Sequence, residues 1–419
     1  MHLLHRVKSE LGRQAMSKLQ YDKFLPKLIA EEGGASSRLG ALATDLKMSH
    51  VLVVTDAVLL SLGIVQPCIK SLEDAGIHVV VFSGVLPDPS IGEVMQGASV
   101  YLEHGCDGVV AIGGGSSIDC AKAIAAHVVD PKPIEEIAGV MKLKKRPAKL
   151  IAIPTTAGTG SEATYAAVIS SPGRKFLITD FKMIPRGAIL DPRLSVNLPA
   201  PVTAATGMDA LTHAVEAYLS PWGSSYSDEK CMYAVKTIMT HLVPVFQNGN
   251  SMQARAALLQ ASYCGGIAVS CCGVGYVHSI AHSLGGIYHT PHGEANAMIL
   301  PHVLKFYGTS AHAKLAKLAR VSGLVHENSK NDSKDAKVFI AKIEAMNKEM
   351  NLATTVKGLL PSGCDEIATL ALAEAHGEQH SMIFNFKEFI KDAGYPCIKY
   401  MSHNECKQIV GQFAQAARL

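Results

Sequence analysis

The segment DGVVAIGGGSSIDCAKAIA, residues 107–125, determines how the first half of this chain folds. It starts as a short β-branched run, passes through three consecutive glycines and continues directly into helix-forming residues. A strand that turns at once into a helix is typical of parallel α/β sheets. The glycines let the backbone approach a bound group, and the first helical turn offers free N–H groups to an anion. The segment therefore predicts a parallel sheet with a phosphate-binding turn.

Three further segments of the first half have the same strand character: SHVLVVTDA (49–57), IHVVVFSGV (77–85) and AKLIAIPTT (148–156). Each ends in small or turn residues, and helix-compatible sequence separates them, which predicts a mostly parallel sheet with right-handed crossovers. From about residue 199 the pattern changes to long helical periodicities, as in VTAATGMDALTHAVEAYLS (202–220). We therefore expect an α/β domain over residues 1–198 and an all-helical domain over residues 199–419.

Four residues of the second half form a predicted metal site. Asp209 and His213 are four positions apart in an uninterrupted helical segment, so both side chains leave the same helix face. His278 and His292 lie on either side of a Gly-Gly and a Pro that must end one helix and turn the chain back. Each histidine alone is typical of a core or surface residue, but the joint pattern favours one divalent ion.

The ligand types narrow the choice of metal. Three neutral imidazoles and one carboxylate suit Fe(II), Zn(II), Ni(II) or Co(II), whereas Mg²⁺ and Ca²⁺ prefer more oxygen ligands. The carboxylate makes Fe(II) and Zn(II) the favoured metals, and the sequence leaves the choice between them open.

Composition excludes several classes of function. The net charge is only +3, the basic residues are scattered and aromatic residues make up 6%, so we expect no nucleic-acid partner. No run of about 18 apolar residues is present and the first residues, MHLLHRVKSELGRQ, are charged throughout, so we expect a cytoplasmic protein with no membrane partner. The ten cysteines show no CxxC spacing, which indicates buried thiols in a reducing compartment.

A second polar turn, PTTAGTGSEAT (154–164), follows another predicted strand. In an open parallel sheet, turns at the carboxyl ends of neighbouring strands line the same ligand crevice. Neither turn matches the GxGxxG or P-loop pattern, so the usual nucleotide motifs do not apply. The two turns together favour a cofactor that carries phosphate.

At this point four motifs resemble a known family. The segments GGGSSIDCAKAIA, PTTAGTGSE, ATGMDALTHAVEAY and HSIAHSLGGIYHTPHGEANAMILPH, in this order and spacing, are similar to the iron-containing (group III) alcohol dehydrogenases over roughly residues 25 to 415. The resemblance implies a Rossmann-like N-terminal domain that binds NAD(P) and an all-helical C-terminal domain that holds the metal. It also implies a small alcohol or aldehyde as substrate and a homodimer.

The resemblance assigns site residues at matching positions. The family's metal ligands fall on Asp209, His213, His278 and His292 without substitution. Its cofactor-binding positions fall on Gly114, Gly115, Ser116, Ser117, Asp119, Thr155, Thr156, Thr159, Ser161, Thr164 and Lys175, of which the last matches a lysine that contacts the nicotinamide ribose. His282 matches a histidine near the nicotinamide and the substrate, and we predict that it relays the proton. It could instead only orient the site from outside.

The choice of cofactor depends on Asp56, at the end of the strand HVLVVTD. It matches the family position where a carboxylate meets the adenosine ribose, which favours NAD over NADP because a 2′-phosphate would be repelled. The same aspartate could cap the helix that follows, and both roles can hold together.

The mechanism implied is hydride transfer between the substrate carbon and the nicotinamide, with the metal polarising the substrate oxygen. Within the family an NADP-dependent or maleylacetate-type reductase is the alternative. A lyase resembling dehydroquinate synthase would need Lys and Arg residues converging on phosphate and carboxylates, which the metal motifs lack. A non-catalytic metal-binding protein is disfavoured because every motif is intact.

Overall fold

The computed structural model of the protein describes residues 20–31, 34–171, 174–377 and 394–415. It contains two compact units. The first, here called the sheet unit, comprises Gln20–Leu198 and Gly249–Gly266. The second, here called the helical unit, comprises Pro199–Asn248 and the described residues from Ile267 onward. The boundaries predicted from the sequence do not include the return of the chain at residues 249–266.

The strands of the described residues all belong to the sheet unit. They are β1 (Lys27–Ala30), β2 (His50–Val54), β3 (His78–Phe82), β4 (Gly108–Gly113), β5 (Gly139–Val140), β6 (Lys149–Pro154), β7 (Ala166–Ser171), β8 (Arg174–Thr179) and β9 (Gly187–Leu190). Six of them form one sheet in the order β1-β9-β6-β4-β2-β3, with every neighbouring pair parallel. A smaller sheet has the order β5-β8-β7, in which β7 and β8 are antiparallel.

Both faces of the six-stranded sheet are buried, which explains why its strands read as continuous apolar runs. Successive side chains of a strand point to opposite faces. In β2, Leu52 and Val54 belong to one core cluster, while Val51 and Val53 belong to the other. The same alternation occurs in the central strand β4, all of whose residues are buried.

Helices cover this sheet between the strands. They are α1 (Leu39–Asp45), α2 (Ala57–Ser61), α3 (Gln66–Asp74), α4 (Ile91–Glu103), α5 (Gly115–His127) and α6 (Ile134–Ile137). Short 3-10 turns occur across the described residues at Tyr21–Phe24, Ala35–Arg38, Ser161–Ala163, Phe181–Met183, Pro192–Leu194, Gly308–Ser310 and Pro361–Gly363. Local sequence sets the helix ends: Ser90 and Glu93 form a capping box that starts α4.

From Pro199 the described chain is helical. The helices are α7 (Ala200–Leu219), α8 (Ser225–Gln247), α9 (Met252–Cys272), α10 (Tyr276–Tyr288), α11 (His292–Tyr307), α12 (His312–Val321), α13 (Asp332–Glu349), α14 (Cys364–His376) and α15 (His403–Gly411). Helix α9 starts in the sheet unit and continues past residue 266. The parallel sheet and the helical second half confirm the predicted fold class.

The length and apolarity of the described helices bear on whether one could span a membrane. No single one is long and apolar enough to cross a membrane. Helices α9 and α10 reach that length and apolarity only jointly, as a pair bent at the break between them.

Candidate metal centre and cofactor site

Helix α7 carries two of the predicted metal ligands. Every residue of α7 from Gly207 to Leu219 is buried, so its polar side chains face the protein interior. Asp209 and His213 are only 3% and 8% exposed. Their i,i+4 spacing places both on one face of the helix, as the sequence predicts.

The other two predicted ligands lie on consecutive helices. His278 is on α10, and His292 is the first residue of α11. Helix α10 ends at Tyr288, and the left-handed conformation of the next residue, His289 (φ 53°), reverses the chain. Helix α11 then starts against α7 so closely that a Cβ at Gly293 would lie 2.3 Å from the carbonyl oxygen of Ala205. Glycine at position 293 therefore allows the approach that brings His292 to α7.

The four predicted ligands meet around one oxygen atom. Oδ1 of Asp209 lies 3.4 Å from Nε2 of His292, 3.7 Å from Nε2 of His278 and 3.9 Å from Nε2 of His213. One ligand atom from each of Asp209, His278 and His292 lies within 4.8 Å of the others. The ring of His213 stacks on that of His278, with centroids 4.6 Å apart. All four side chains belong to the helical unit.

Glu216 orients this cluster from behind. Its Oε2 lies 2.6 Å from Nδ1 of His278, and its carboxylate also accepts hydrogen bonds from the backbone N–H groups of Gly275 and Val277. A proton held on Nδ1 leaves Nε2 of His278 with its lone pair directed toward Asp209. Glu216 was not identified from the sequence. The available signal was a carboxylate in the buried stripe of α7, three residues after His213.

Asn296, on α11, was likewise not identified from the sequence. Its Nδ2 donates to Oδ1 of Asp209 (2.7 Å) and lies 3.1 Å and 3.3 Å from Nε2 of His292 and His278. Its own Oδ1 is buried and has no hydrogen-bond partner in the described part of the chain. Nδ2 of Asn296 therefore lies within hydrogen-bond distance of three of the predicted ligand atoms, at the point where they converge.

The predicted phosphate turn lies between β4 and α5. Gly114 is the N-cap of α5, so the free N–H groups of its first turn follow the three glycines. A Cβ at Gly115 would lie 2.6 Å from Cγ2 of Thr159, which shows how closely the threonine-rich turn packs on this one. Ser117 is 2% exposed. The structure thus brings the two predicted cofactor turns together within the sheet unit.

Three of the predicted cofactor residues have their polar atoms bonded inside the protein. Ser161 donates to Oδ1 of Asp119 (2.6 Å), and the hydroxyl of Thr164 accepts from Lys122 (2.9 Å). Thr155 is 2% exposed, whereas Thr156 and Thr159 are partly exposed. The predicted contacts of these residues with NAD stay predictions.

Comparison with known proteins agrees with this architecture. Residues 26–192 match the family model described as iron-containing alcohol dehydrogenase, and residues 203–393 match its C-terminal counterpart. The chain is 38% identical to the NAD-dependent methanol dehydrogenase of Bacillus methanolicus over 333 residues, which cover 78% of this chain and 87% of that protein. It is 37% identical to 1,3-propanediol dehydrogenase of Klebsiella pneumoniae over 312 residues, covering 74% and 81%.

Solved structures give the same answer. The crystal structure of a 1,3-propanediol oxidoreductase superposes with a TM-score of 0.84 at 31% identity, covering 93% of this chain and 97% of that one. The chain belongs to the iron-containing alcohol dehydrogenase family. An alcohol dehydrogenase from Oenococcus oeni superposes with a TM-score of 0.83 at 30% identity over 93% and 98% of the two chains.

The donor atoms fit the divalent metal of an iron-containing alcohol dehydrogenase. Burial raises the pKa of Asp209, but the neighbouring imidazoles more than offset this and hold the pKa well below its usual value. Burial lowers the pKa of His213 to about 4, so this ring is neutral. For His278, burial is outweighed by the hydrogen bonds to Asp209 and Glu216, which raise the pKa to about 9. A metal ion would take the place of that proton, as imidazole ligands require.

His282 lies one helical turn after His278 and joins the same group of rings. Its ring stacks on that of His292, with centroids 5.4 Å apart. Its Nδ1 lies 2.7 Å from Oε1 of Glu374, which also accepts from the hydroxyl of Tyr395. Burial opposes ionisation of Glu374, yet His282 keeps the pKa of this carboxyl below its usual value. Glu374 and Tyr395, distant in sequence, were not identified from the sequence.

Asp56 and Lys175 have identifiable partners in the sheet unit. Asp56 caps α2 by accepting from the N–H of Leu59 (2.9 Å), which is the helix-capping role considered from the sequence. Nζ of Lys175 donates to Oδ1 of Asp88 (2.9 Å). The predicted roles of Asp56 at the adenosine ribose and of Lys175 at the nicotinamide ribose stay predictions.

Proposed function

We propose that this protein is a metal-dependent alcohol dehydrogenase that transfers hydride between NAD(H) and a small primary alcohol, diol or hydroxyaldehyde. The convergence of Asp209, His213, His278 and His292 carries the proposal. The cluster presents one carboxylate oxygen and three imidazole nitrogens, a donor set suited to Fe(II) or Zn(II). The closely packed turns of the sheet unit, with the N-terminus of α5 between them, support binding of a pyrophosphate.

Each bound group has a separate task. When bound, the metal ion supplies Lewis acidity toward the substrate oxygen, and NAD supplies the hydride acceptor. The chain's own residues do the rest. Asp209 and the three histidines hold the ion, Glu216 fixes the tautomer of His278, and Asn296 donates to Asp209.

His282 is the proposed proton relay. Oxidation of an alcohol releases the hydroxyl proton, and a histidine near neutral pH is suited to passing it to solvent. The 2.7 Å contact with Glu374 places a proton on Nδ1 of His282 and leaves Nε2 as the accepting atom. The side chain of His282 is 31% exposed, which supports exchange of this proton with water.

The substrate class follows from similarity. Relatives at 37% and 38% identity are named for 1,3-propanediol and methanol, which are small and uncharged. NAD is the proposed cofactor because Asp56 places a carboxylate at the end of β2, where a 2′-phosphate would be repelled. Fe(II) is the proposed native metal, with Zn(II) as the alternative that reloading experiments test.

We also propose that the protein acts in the cytoplasm as a homodimer. The ten cysteines, nine of them buried, form no disulfide among the described residues, which supports a reducing compartment. Strand β1 lies at one edge of the six-stranded sheet and, in the described chain, pairs only with β9. An open edge can pair with a second copy. Light scattering coupled to size-exclusion chromatography tests the dimer, and localisation of a tagged chain tests the compartment.

The activity is tested by following NADH oxidation at 340 nm with a panel of small aldehydes. The apo protein is reloaded separately with Fe(II), with Zn(II) or with no metal. We expect turnover that requires metal and that is fastest with short, neutral aldehydes. The reverse reaction with NAD and the matching alcohols gives the same ranking.

His278→Ala is the matched control because it removes one imidazole ligand. We expect it to lose both bound metal and turnover while still binding NADH through the sheet unit. Wild-type protein that binds one metal ion tightly and NADH, yet turns over none of the alcohols or aldehydes, would contradict the proposed activity.

A further inference from the structure

Lys122 is a buried charged residue to which neither the sequence motifs nor the proposed chemistry assigns a role. It lies on α5, seven residues after the helix begins, and is only 1% exposed. Its Nζ donates to Oγ of Ser161 (3.0 Å), to Oγ1 and the carbonyl oxygen of Thr164 (2.9 and 3.0 Å) and to the carbonyl oxygen of Ala166 (2.7 Å). The three N–H groups of one ammonium are therefore shared among four acceptors on the threonine-rich turn and the start of β7.

Asp119 completes the network from the preceding turn of α5. The i,i+3 spacing places it on the same helix face as Lys122. Oδ1 of Asp119 accepts from Oγ of Ser161 (2.6 Å), and Oδ2 accepts from the backbone N–H of Val168 (2.9 Å). The hydroxyl of Ser161 thus donates a hydrogen bond to Asp119 and accepts one from Lys122.

These hydrogen bonds connect the two cofactor turns, the pyrophosphate turn and the threonine-rich turn. The pyrophosphate turn is the first turn of α5, and the network ties the same helix to residues 161–168. At the exposed side of the network, the two turns already touch through Gly115 and Thr159. The position of one turn relative to the other is therefore set by Lys122 and Asp119 behind them.

Burying an ammonium group is costly unless every donor finds an acceptor. Here burial lowers the pKa of Lys122 to about 8, and the charge of Asp119 and the four acceptor atoms offset part of the cost. Removing the ammonium group would leave those acceptors buried without a donor, and the turn would have to move to reach water. A turn displaced by about 1 Å can weaken a positioned interaction by two orders of magnitude.

We propose that Lys122 is a positioning residue for the dinucleotide: it holds the threonine-rich turn against α5 so that both turns contact the cofactor together. This inference rests on the proposed use of NAD. In this proposal Asp119, Ser161 and Thr164, predicted from the sequence to bind the cofactor, instead hold the two cofactor turns together through their hydrogen bonds.

The test is NADH binding to Lys122→Met, measured by fluorescence titration and by KM. Methionine keeps an unbranched side chain, one atom shorter than that of lysine, but has no donor. We expect the Kd and KM for NADH to rise at least about tenfold, with kcat changed by less than about twofold, because the turns and not the reacting groups are displaced. The double variant Lys122→Met, Asp119→Asn should bind NADH no more weakly than Lys122→Met, since the two residues act as one unit.

Leu72→Ala is the control for a general loss of stability. Leu72 is fully buried in α3 and belongs to the core cluster of Val51 and Val53, remote in its contacts from the network. The substitution leaves a cavity and should lower the melting temperature. Binding is compared well below the melting temperature of each variant, and Leu72→Ala should keep the wild-type Kd for NADH.

Four outcomes separate the possibilities. Wild-type protein that does not bind NADH refutes the proposed cofactor and leaves the network without this role. The positioning role is overturned if folded Lys122→Met has the wild-type Kd for NADH. It is also overturned if Leu72→Ala raises the Kd for NADH as much as Lys122→Met does. Lys122→Leu, which also has no donor, carries the same test if Lys122→Met is insoluble. Failure of both variants to fold would show that Lys122 is needed for the fold alone and would also overturn the inference.

Discussion

Nδ1 of His278 lies 2.6 Å from Oε2 of Glu216, and this contact determines which nitrogen of the imidazole faces Asp209. Glu216 also accepts from two backbone N–H groups, so its carboxylate oxygens are fully used. The carboxylate is only 6% exposed, so it has little access to a bound substrate. Its role is therefore exerted through the metal ligand.

Glu216→Gln should weaken metal binding about 10- to 100-fold, because an amide must turn its NH₂ group toward one of three donors. The Kd is measured by competition with a chromogenic chelator. Glu229→Gln, on the exposed surface of α8, is the matched control and should bind metal as the wild type does. An unchanged Kd in Glu216→Gln would mean that the contact with His278 does not orient the ligand.

His282→Ala should lower kcat by about 100-fold or more, since a positioned proton relay contributes on that scale. Metal content and the Kd for NADH should be unchanged. Glu374→Gln, which keeps an acceptor oxygen but loses the charge facing His282, should lower kcat less than His282→Ala does. Glu344→Gln on α13, where the carboxylate pairs with Lys305 at the surface, serves as control. Unchanged kcat with full metal content in His282→Ala would remove the relay role.

Features that depend on residue spacing within a single helix or strand were predictable from the sequence. Asp209 and His213 were predictable because helical spacing alone puts them on one face. The parallel sheet was predictable because strands buried on both faces leave continuous apolar runs, as in β2 and β4. Such signals lie within one element and do not depend on its partners.

Buried polar partners were not predictable in the same way. Lys122 lies inside the segment that predicts the fold, but lysines on helices are usually exposed, and nothing local shows that this one is 1% exposed. Glu374 reaches His282 across 92 residues of sequence. Contacts of this kind depend on how separate helices pack, which a single sequence does not specify.

Asp56→Asn should shift cofactor preference toward NADP without destabilising α2. Asparagine keeps the side-chain oxygen that accepts from Leu59, so the helix cap is retained while the charge is lost. Repulsion between two charges about 4 Å apart in water is about 1 kcal/mol, so the ratio of kcat/KM for NADP to that for NAD should rise roughly fivefold or more. The ratio is measured with both cofactors and one aldehyde. An unchanged ratio at an unchanged melting temperature would limit Asp56 to its capping role.

Glu162 gives a prediction about pH and stability. It lies in the threonine-rich turn, is 1% exposed, and its Oε2 has no hydrogen-bond partner among the described residues. Burial raises the pKa of this carboxyl to about 7, although Lys122 opposes the shift. The folded protein therefore prefers the protonated form. The stability that this preference contributes is complete below the ordinary pKa of 4.5 and is lost as the pH rises through about 7.

Glu162→Gln should consequently behave differently at low and high pH. Near pH 4, below the ordinary pKa of 4.5, the glutamate is largely neutral in both the folded and the unfolded chain, and the melting temperatures of variant and wild type should agree. Near pH 8 the wild type must bury a charge that glutamine lacks, so the variant should be more stable, by roughly 3 kcal/mol for a shift of this size. Thermal unfolding at the two pH values measures the difference. Glu135 is exposed on α6, so Glu135→Gln should differ from the wild type by the same small amount in melting temperature at both pH values. If the difference in melting temperature between Glu162→Gln and the wild type is also independent of pH, the prediction is wrong. Glu162 would then be ionised in the folded protein at both pH values.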